Sequence, residues 1–323
     1  MITMRDIARE TGVSRATVSY VLNGRCGEDL KISGPIIRKI QATAKQMGYV
    51  RNELVTSVKT GKSRVIAVIS DFPDYMLPAV KGCVEEAAKH GYLVKMIFWN
   101  NNDINAAIMQ AVEFRVAGIF AISLPEKVIG QIDPKFFGYG IPSLGLTPHT
   151  GYMAFDQKKS AGRGTEYLIR KGFSDILYFS GICESPITLD RKAGYEEAME
   201  RHGLPKRFVF SGRTAHDVDT ACDRILELHP AAVQCSNDHM ALTLLHACYL
   251  RKLFVPEYFS VLGFGNIPGS ADSSPFLTTV NEPYYETGQI MFRKIYGLIT
   301  GQEVSDTSDL IGEVIERESV RTK

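Results

Sequence analysis

The sequence predicts a small all-α domain of the helix-turn-helix type, followed by an α/β core of two lobes, each built on a doubly wound parallel sheet. Two observations carry this prediction. Near the start of the chain, two short helix-like segments are separated by a glycine. From residue 64 onward, apolar strand-like runs alternate with helix-like segments, which is typical of parallel α/β sheets. With 323 residues, the chain is long enough for one small and two medium domains.

The first helix is predicted to begin after Thr3, because Asp6 stands three residues later as its reciprocal capping partner. Gly12 would end this helix, and Ser14 would cap the second one. Apolar residues of both helices are expected to share one small core: Ile7, Ala8, Val13, Val18 and Leu22. The spacing of Ala8, Gly12 and Val18 is that of a helix-turn-helix.

The second helix is predicted to enter the major groove of DNA. Arg15 lies at its N-terminus, and arginine bound to guanine is the commonest specific contact. Tyr20 lies one turn further on, and the short hydroxyl side chains suit phosphate oxygens. The predicted DNA-contacting residues of this helix are Ser14, Arg15, Ala16, Thr17, Ser19, Tyr20 and Asn23. The alternative interpretation is an ordinary helical hairpin with solvated polar residues.

Positive charge is concentrated at the start of the chain. The net charge of the whole chain is +1, whereas residues 1–61 contain ten Lys or Arg and five Asp or Glu. This imbalance is expected of a nucleic-acid-binding module attached to a neutral core. No apolar run has the length of a membrane span, and the start lacks the apolar stretch of a signal peptide. The six scattered cysteines, without a C-x-x-C pair, indicate a cytoplasmic protein with mostly buried thiols and no metal site.

The N-terminal stretch resembles the signature of the LacI/GalR family of bacterial transcription regulators. The family pattern is roughly T-x-x-D-[IV]-A followed by G-V-S-x-x-T-V-S-x-V-L-N, and the chain matches it from Thr3 to Asn23. The resemblance implies a DNA-binding headpiece at residues 1–50, a hinge at 51–61, and a periplasmic-binding-protein-like core at 62–323. It further implies that this core binds an effector and forms a homodimer, without a cofactor.

A third helix is predicted to follow a loop that is longer than usual for the family, residues 24–32. Ser33 would cap this helix, Pro35 would lie in its first turn and Gly48 would end it. The predicted core stripe at helical spacing is Ile36, Ile40, Ala44 and Met47. A solvated loop is the favoured interpretation of residues 24–32.

The hinge is predicted to contain a short, weak helix over residues 53–60, capped by Asn52. It is rich in β-branched residues and too short to be helical alone. Family members form this helix only on DNA, and the resemblance places Val58 where a leucine usually wedges into the minor groove. A flexible linker is the alternative. Val58 and Arg51, which stands where proline is common, depart from the family pattern.

In the core, the pattern predicts two lobes. The family resemblance implies lobe one at about residues 62–158 and 288–311, and lobe two at about residues 159–287 and 312–323. The first strand is predicted from the apolar run at residues 65–69, which is followed by a helix-like segment at 78–90. The family resemblance assigns the last helix, near residues 285–300, to lobe one.

Ligands of open α/β sheets bind beyond the carboxyl ends of the strands, so the effector is expected between the lobes. The candidates of lobe one follow its first two strands: Asp71, Phe72, Tyr75, Met76 and Trp99. Trp99 is the only tryptophan of the chain. Its indole ring offers a stacking face to a sugar or a base, and a place in the apolar core is the alternative.

The candidates of lobe two come from the family resemblance. Asp156, Arg191 in an R-x-x-G-[YF] motif, and Asn237-Asp238 in an N-D-x-x-A motif match effector-site positions. Such side chains suit a ring of hydroxyls or a carboxylate. In the alternative interpretation, Asp238 caps a helix and Arg191 pairs with a local acid. Gly265 stands where the family usually has a carboxylate. The effector is therefore not a typical sugar, or another residue compensates, or there is no physiological effector.

The leading hypothesis is a homodimeric transcription regulator, a repressor, that binds a near-palindromic double-stranded operator and responds to a small, sugar-like effector. The alternative is a non-enzymatic small-molecule-binding protein on the same core fold. Catalysis is disfavoured because the chain has no G-x-x-x-x-G-K-[ST], no G-x-S-x-G, and no G-x-G-x-x-G after its first strand. Its seven histidines show no metal-binding spacing.

Overall fold

Three helices form the described part of the N-terminal unit: α1 (Met4–Thr11), α2 (Arg15–Leu22) and α3 (Gly34–Gln46). The computed structural model divides into this unit, Met1–Ser63, and a second unit, Arg64–Lys323. The structure describes residues 2–23, 32–50, 57, 61, 63–99, 103–122, 124, 126–146, 155–182, 186–212, 214–302 and 310–321.

The predicted caps of the first two helices are confirmed. The Thr3 hydroxyl accepts a hydrogen bond from the backbone N–H of Asp6, whose carboxylate accepts one from the backbone N–H of Thr3 at 2.9 Å. Gly12 ends α1 with a φ of 72°, in the left-handed region that favours glycine. The Ser14 hydroxyl accepts a hydrogen bond from the backbone N–H of Thr17 at 3.0 Å. The local sequence therefore determines where α2 begins.

The core of the first unit contains all residues predicted for α1 and α2, adds Val21 of α2, and differs from the prediction in α3. Its buried residues are Ile7, Val18, Val21, Ile40 and Ala44, with Ala8, Val13, Leu22, Ile37 and Met47 packed against them. Ile36, predicted in the core stripe, is 37% exposed. Ile37 packs inward instead, because it lies one turn before Ile40 on the face that also carries Ala44. Ser33 holds the cap position of α3, but its side chain makes no capping hydrogen bond.

The second unit alternates strands and helices as predicted. Its strands are β1 (Val65–Ser70), β2 (Leu93–Phe98), β3 (Gly118–Ala121), β4 (Ser143–Leu144), β5 (Ile176–Ser180), β6 (Arg207–Phe210), β7 (Ala232–Cys235), β8 (Ser260–Gly265), β9 (Thr278–Asn281) and β10 (Val314–Ile315). Its helices are α4 (Leu77–Lys89), α5 (Ile104–Glu113), α6 (Glu126–Ile129), α7 (Gln157–Arg170), α8 (Pro186–Arg201), α9 (Ala215–Leu228), α10 (Asp238–Leu250), α11 (Pro268–Asp272) and α12 (Tyr284–Thr300).

The strands form two separate sheets, which confirms the prediction of two lobes. The first sheet has the order β2-β1-β3-β4, and the second has the order β10-β9-β8-β7-β5-β6. Apolar clusters lie on both faces of each sheet, between the strands and the helices that cover them. Within the described residues, no helix is both long and apolar enough to cross a membrane.

One strand departs from the predicted all-parallel sheets. β10 pairs with β9 in the antiparallel direction, through Val314 with Val280 and Ile315 with Thr279. This two-residue strand lies at the edge of the second sheet, where an otherwise parallel sheet commonly carries an antiparallel strand.

Two glycines allow α12 to pack closely against α4, beside the first sheet. A Cβ atom on Gly288 would lie 1.9 Å from the carbonyl oxygen of Ala79, and one on Gly82 would lie 2.0 Å from that of Tyr285. The strand that precedes α12, β9, belongs to the second sheet. The chain therefore passes from one sheet to the helical layer of the other between Asn281 and Tyr284.

The variant Gly288→Ala is expected to lower the free energy of unfolding of the second unit by at least about 1–3 kcal/mol, because backbone rather than a movable side chain blocks the added methyl group. Urea denaturation measures this loss. In the control variant Gly138→Ala, the added Cβ meets no atom within 4 Å, and the expected change is below about 0.5 kcal/mol. Equal stabilities of the two variants would contradict the close packing.

The described cysteines, Cys83, Cys222, Cys235 and Cys248, are buried and unpaired. Burial raises the pKa of Cys83 and of Cys248 to about 12, and that of Cys222 to about 11. We therefore expect these four thiols to react with a disulfide reagent at pH 8 only after unfolding. The folded chain should then expose at most two of its six thiols, and rapid reaction of more than two would refute this expectation.

Candidate functional site

The outer face of α2 presents the residues predicted to contact DNA bases. Arg15, the first residue of α2, and Ala16 are exposed, and Tyr20 is 37% exposed. Val18 and Val21 of the same helix are buried in the core of the first unit. One face of α2 therefore packs into the core of the first unit. The opposite face is exposed and carries Arg15 at its N-terminal end.

The remaining predicted DNA contacts on α2 hold the helix ends. The Ser14 hydroxyl lies 2.9 Å from that of Thr17 and caps the helix. At the other end, the Asn23 amide donates hydrogen bonds to the carbonyl oxygen of Ser19 at 2.6 Å and to its hydroxyl at 3.1 Å. The two remaining DNA-contact predictions, Asn52 and Val58, lie outside the described residues, as does the loop 24–31.

In the second unit, the guanidinium of Arg191 is the centre of a buried polar cluster. Its Nε donates to Gln157 Oε1 at 2.7 Å, and its Nη1 donates to the carbonyl oxygen of Ser236 at 2.9 Å. Its Nη2 donates to Glu282 Oε2 at 2.9 Å, and Gln157 Nε2 donates to Glu282 Oε1 at 3.0 Å. Arg191 also stacks on Phe264, with its Cζ 3.9 Å from the ring centroid.

These side chains meet because each follows or faces the carboxyl end of a strand of the second sheet. Ser236 follows β7, Phe264 is the last residue but one of β8, and Glu282 follows β9. Arg191 is 9% exposed and Glu282 is 4% exposed. A buried charge is tolerated only when it is paired and hydrogen-bonded, and both conditions are met here.

Aromatic side chains connect this cluster to the first sheet. The Tyr284 hydroxyl donates to Glu282 Oε2 at 2.9 Å. The ring of Tyr75, which follows β1, lies 5.8 Å from that of Tyr284 and 6.4 Å from that of His239. Burial raises the pKa of Tyr75, and the negative charges of Asp71 and Glu282 raise it further. The strand ends of the two sheets thus face each other across Tyr75.

Asn237 and Asp238 have structural partners. Asn237 Oδ1 accepts a hydrogen bond from the backbone N–H of Met240 at 2.9 Å, so Asn237 rather than Asp238 caps α10. The Asp238 carboxylate accepts hydrogen bonds from the Thr279 hydroxyl at 2.6 Å and from the backbone N–H of Ile267 at 2.9 Å. Burial raises the pKa of Asp238. Its carboxylate connects β9 to the end of β8.

Most of the other predicted effector contacts lie outside the Arg191 cluster. Asp71 is exposed, and Asp156 caps α7 by accepting a hydrogen bond from the backbone N–H of Lys159 at 2.8 Å. Phe72 packs on Phe98, with ring centroids 4.8 Å apart. Met76 and Trp99 are buried in the apolar clusters of the first sheet. Tyr75 and Arg191 are thus the predicted residues that the structure brings into one cluster.

Sequence reasoning missed Gln157, Glu282 and Tyr284. One signal for Glu282 was available, because it is an acid that directly follows the buried strand β9 at the carboxyl edge of the sheet. The acid that pairs with Arg191 is also not local, since it lies 91 residues further along the chain.

Two buried hydroxyls lie beside this cluster. Phe179 pairs with Cys235 in the register of β5 and β7, so Ser180 and Ser236 lie next to each other at the strand ends. Because side chains alternate along a strand, both serine side chains lie on the same face of the second sheet as Tyr178 and Ala232. Helix α8 covers this face. Neither hydroxyl has a hydrogen-bond partner in the structure. Among the described residues, no group of three His, Cys, Asp or Glu side chains could hold a metal ion.

Gly265 adopts a backbone conformation that side chains disfavour, with a φ of 128°. Restoring the family carboxylate by Gly265→Asp is therefore expected to cost about 1–3 kcal/mol of stability. The next residue but one, Ile267, provides the nearest atom to a Cβ at this position, at 3.6 Å, so the cost would come from the backbone and not from a clash. Thermal denaturation of Gly265→Asp and Gly265→Ala measures it, and both variants should lose similar stability. An unchanged melting temperature in both would contradict this explanation.

Comparisons with known proteins extend the observations on both units. The family of bacterial regulatory proteins, lacI family, matches residues 3–52, and a periplasmic binding protein-like domain matches residues 165–320. The chain is 30% identical over 341 residues to the HTH-type transcriptional repressor CytR of Escherichia coli (strain K12), covering 99% of this chain and 96% of that protein. It is 28% identical over 319 residues to the ribose operon repressor of the same organism, covering 93% of this chain and 94% of that protein.

Solved structures show the same fold. The lac repressor dimer bound to operator and the anti-inducer ONPF matches with a TM-score of 0.77, at 22% identity and over 98% of both chains. The complex of the transcriptional regulator CelR with cellobiose matches with a TM-score of 0.65, at 20% identity, over 99% of this chain and 100% of that one. With a repressor 30% identical along nearly its whole length, the chain belongs to the lacI family of bacterial regulatory proteins.

Proposed function

We propose that this lacI-family regulator is a cytoplasmic repressor that binds a near-palindromic operator as a homodimer. A small molecule that binds between its two sheets would weaken or strengthen its binding to the operator. The observation that carries the proposal is the exposed face of α2. There, Arg15 and Ala16 lie at the start of a capped helix whose opposite face is fixed by the core of the first unit. A helix held in this way is suited to the major groove.

Bases would be contacted by Arg15, and Tyr20 would contact a base or a phosphate. Ser14, Thr17, Ser19 and Asn23 would contact phosphates from the helix ends that they stabilise. We further propose that the hinge helix, with Asn52 and Val58, forms on DNA and widens the minor groove. CytR, the ribose operon repressor and the lac repressor are named as repressors, and we propose that this chain likewise acts by binding and not by turnover.

Selection of duplexes from a random pool by the full-length protein, at a stated moderate salt concentration, tests the proposal. The expected product is a family of sequences with two inverted half-sites. Recovery of no preferred sequence would instead favour a small-molecule-binding protein without an operator.

The homodimer is supported by exposed apolar side chains along the β2 edge of the first sheet and on the adjacent helix α4. β2 is an edge strand, and the exposed apolar residues on it and on α4 are Leu77, Val84, Leu93, Met96 and Phe98. Leu93 is 67% exposed and Phe98 is 66% exposed. Large apolar side chains grouped on an edge are unusual in a monomer, because they favour association.

The variant Phe98→Asp is expected to shift the protein from dimer to monomer at micromolar concentration, because a buried charge in an apolar interface is unfavourable. Sedimentation equilibrium measures the shift. Phe137→Asp is the control, because Phe137 is 46% exposed but precedes β4, at the opposite edge of the same sheet. If Phe98→Asp remains dimeric, the β2 edge is not the interface.

The effector is proposed to bind between Tyr75 and the cluster of Arg191 and Tyr284. Contacts with both sheets would make its affinity depend on their relative arrangement, which is the requirement for a switch. About 5.5 kcal/mol of differential affinity would move a population from 1:99 to 99:1.

A further inference from the structure

A groove lies on the outer side of α7 in the second unit. Residues of α8 form one of its walls, and Ile311 forms the other. Its volume is about 380 Å³, and sites for small molecules measure roughly 300–1,000 Å³. The described lining includes no residue of the Arg191 cluster, so this groove is separate from the proposed effector site.

Both walls of the groove are fixed by backbone contacts. Helices α7 and α8 cross closely, since a Cβ atom on Gly194 would lie 2.1 Å from the carbonyl oxygen of Lys158. On the other side, the backbone N–H of Gly312 donates to the Ser160 hydroxyl at 2.9 Å, which holds the preceding residue, Ile311, beside α7. The groove therefore exists before a ligand arrives, and a preformed site needs less ordering on binding.

The groove contains one more cation than acids. Each of its three acids already pairs with a cation, at N–O distances of 2.5 to 3.1 Å: Glu197 with Lys158, Asp156 with Lys159, and Glu166 with Arg201. The remaining cation, Arg163, is exposed and forms no ion pair within the described part of the chain. Its Nη1 donates a long hydrogen bond, 3.4 Å, to the carbonyl oxygen of Gly312.

Helical spacing places Lys159 next to Arg163, on the side of Ile311. Residues four apart lie on the same face of a helix, one turn from each other. The Lys159 side chain is 61% exposed, and a surface ion pair such as the one with Asp156 contributes little, so the ammonium group can turn to a stronger anion. Both cations lie in the first two turns of α7, where the helix dipole favours negative charge.

These features match the chemistry of a phosphate group. The fork of a guanidinium can donate to two phosphate oxygens at once, and a lysine adds a point charge. A phosphate monoester carries a charge of about −1.5 to −2 at pH 7, which two cations balance. The groove is larger than a phosphate ion alone, and the apolar side chain of Ile311 provides a surface for an organic part.

We propose that this groove is a second ligand site, which binds a phosphate group through Arg163 and Lys159. The group comes from an organic phosphate ester or from inorganic phosphate. The proposal goes beyond operator binding and the effector between the two sheets, and it depends on neither.

The test is isothermal titration calorimetry of the full-length protein without DNA, with glycerol 3-phosphate and with inorganic phosphate. Glycerol and sodium chloride at matched ionic strength are the reference titrations. The variant is Arg163→Ala, and Arg170→Ala is its matched control. Arg170 is the exposed last residue of the same helix and does not line the groove, so its replacement removes an equal charge.

Wild type and Arg170→Ala are expected to bind both phosphates with similar affinity, and Arg163→Ala roughly tenfold or more weakly, because it lacks charge-assisted hydrogen bonds. Either order of the two affinities supports the site. Tighter binding of glycerol 3-phosphate identifies an ester as its ligand, and tighter binding of inorganic phosphate identifies the free ion.

The absence of binding of either phosphate to the wild type up to roughly 10 mM would overturn the proposal. Equal affinities of Arg163→Ala and Arg170→Ala would also overturn it. Binding that is lost in Tyr75→Ala and retained in Arg163→Ala would assign the phosphate to the proposed effector site and would be equally contrary.

Discussion

Replacement of Arg191 by methionine is expected to lower the free energy of unfolding of the second unit by about 3–5 kcal/mol, because the carboxylate of Glu282 would stay buried without its cationic partner. Glu282 is 4% exposed, so water does not replace the lost contact. Gln157 and the carbonyl oxygen of Ser236 would lose their donors as well. Chemical denaturation, followed by a signal from the second unit, measures the loss.

Arg201→Met is the matched control. Arg201 lies on the same helix, α8, and pairs with Glu166 at 3.1 Å, but its side chain is 63% exposed. A surface pair of this kind contributes about 0–1 kcal/mol. The double variant Arg191→Met/Glu282→Leu should lose less stability than Arg191→Met alone, because both buried charges are removed together. If Arg191→Met and Arg201→Met were equally stable, the buried cluster would not contribute strongly to the stability of the second unit.

Arg15→Ala is expected to remove about 1–3 kcal/mol of discrimination between the operator and an unrelated duplex for each of the two copies of the headpiece. Arg15 is the exposed first residue of α2, so its loss should leave the core of the first unit intact. Non-specific binding should persist and remain steeply dependent on salt, because other cations supply it. Fluorescence anisotropy with both duplexes measures the two affinities.

Arg9→Ala removes the same charge from α1, where Arg9 is 80% exposed and pairs with Asp6. Its effect, if any, should be a similar weakening on every sequence, since a phosphate contact has no base preference. Sequence discrimination that survives in Arg15→Ala would assign base recognition to other residues.

The headpiece could be predicted closely because its determinants are local. The reciprocal cap of Thr3 and Asp6, the left-handed Gly12 and the cap at Ser14 each act within four residues. The predicted core omitted Val21 and named Ile36 in place of Ile37, because the two adjacent isoleucines fit the helical period almost equally well. The alternation of strands and helices in the core was equally readable, because each buried strand is a continuous apolar run.

The effector site was less predictable, because it depends on contacts between distant parts of the chain. Sequence patterns indicated the strand ends of lobe one, and hence Tyr75, whereas the family resemblance indicated Arg191. They did not indicate that Gln157 and Glu282, 34 and 91 residues away from Arg191, would occupy its guanidinium. Trp99 illustrates the same limit, since the residue after a strand lies at the sheet edge, but only the packing of the first lobe decides that its ring is buried.

The number of chains bound to the selected duplex, and the preference of the protein for that duplex, test the central claim most directly. Analytical ultracentrifugation of the full-length protein should show two chains on a duplex with both inverted half-sites. Its affinity at physiological salt should exceed that for a scrambled duplex at least about a thousandfold. One chain per duplex, or equal affinity for the scrambled sequence, would contradict a dimer that reads an operator through paired α2 helices.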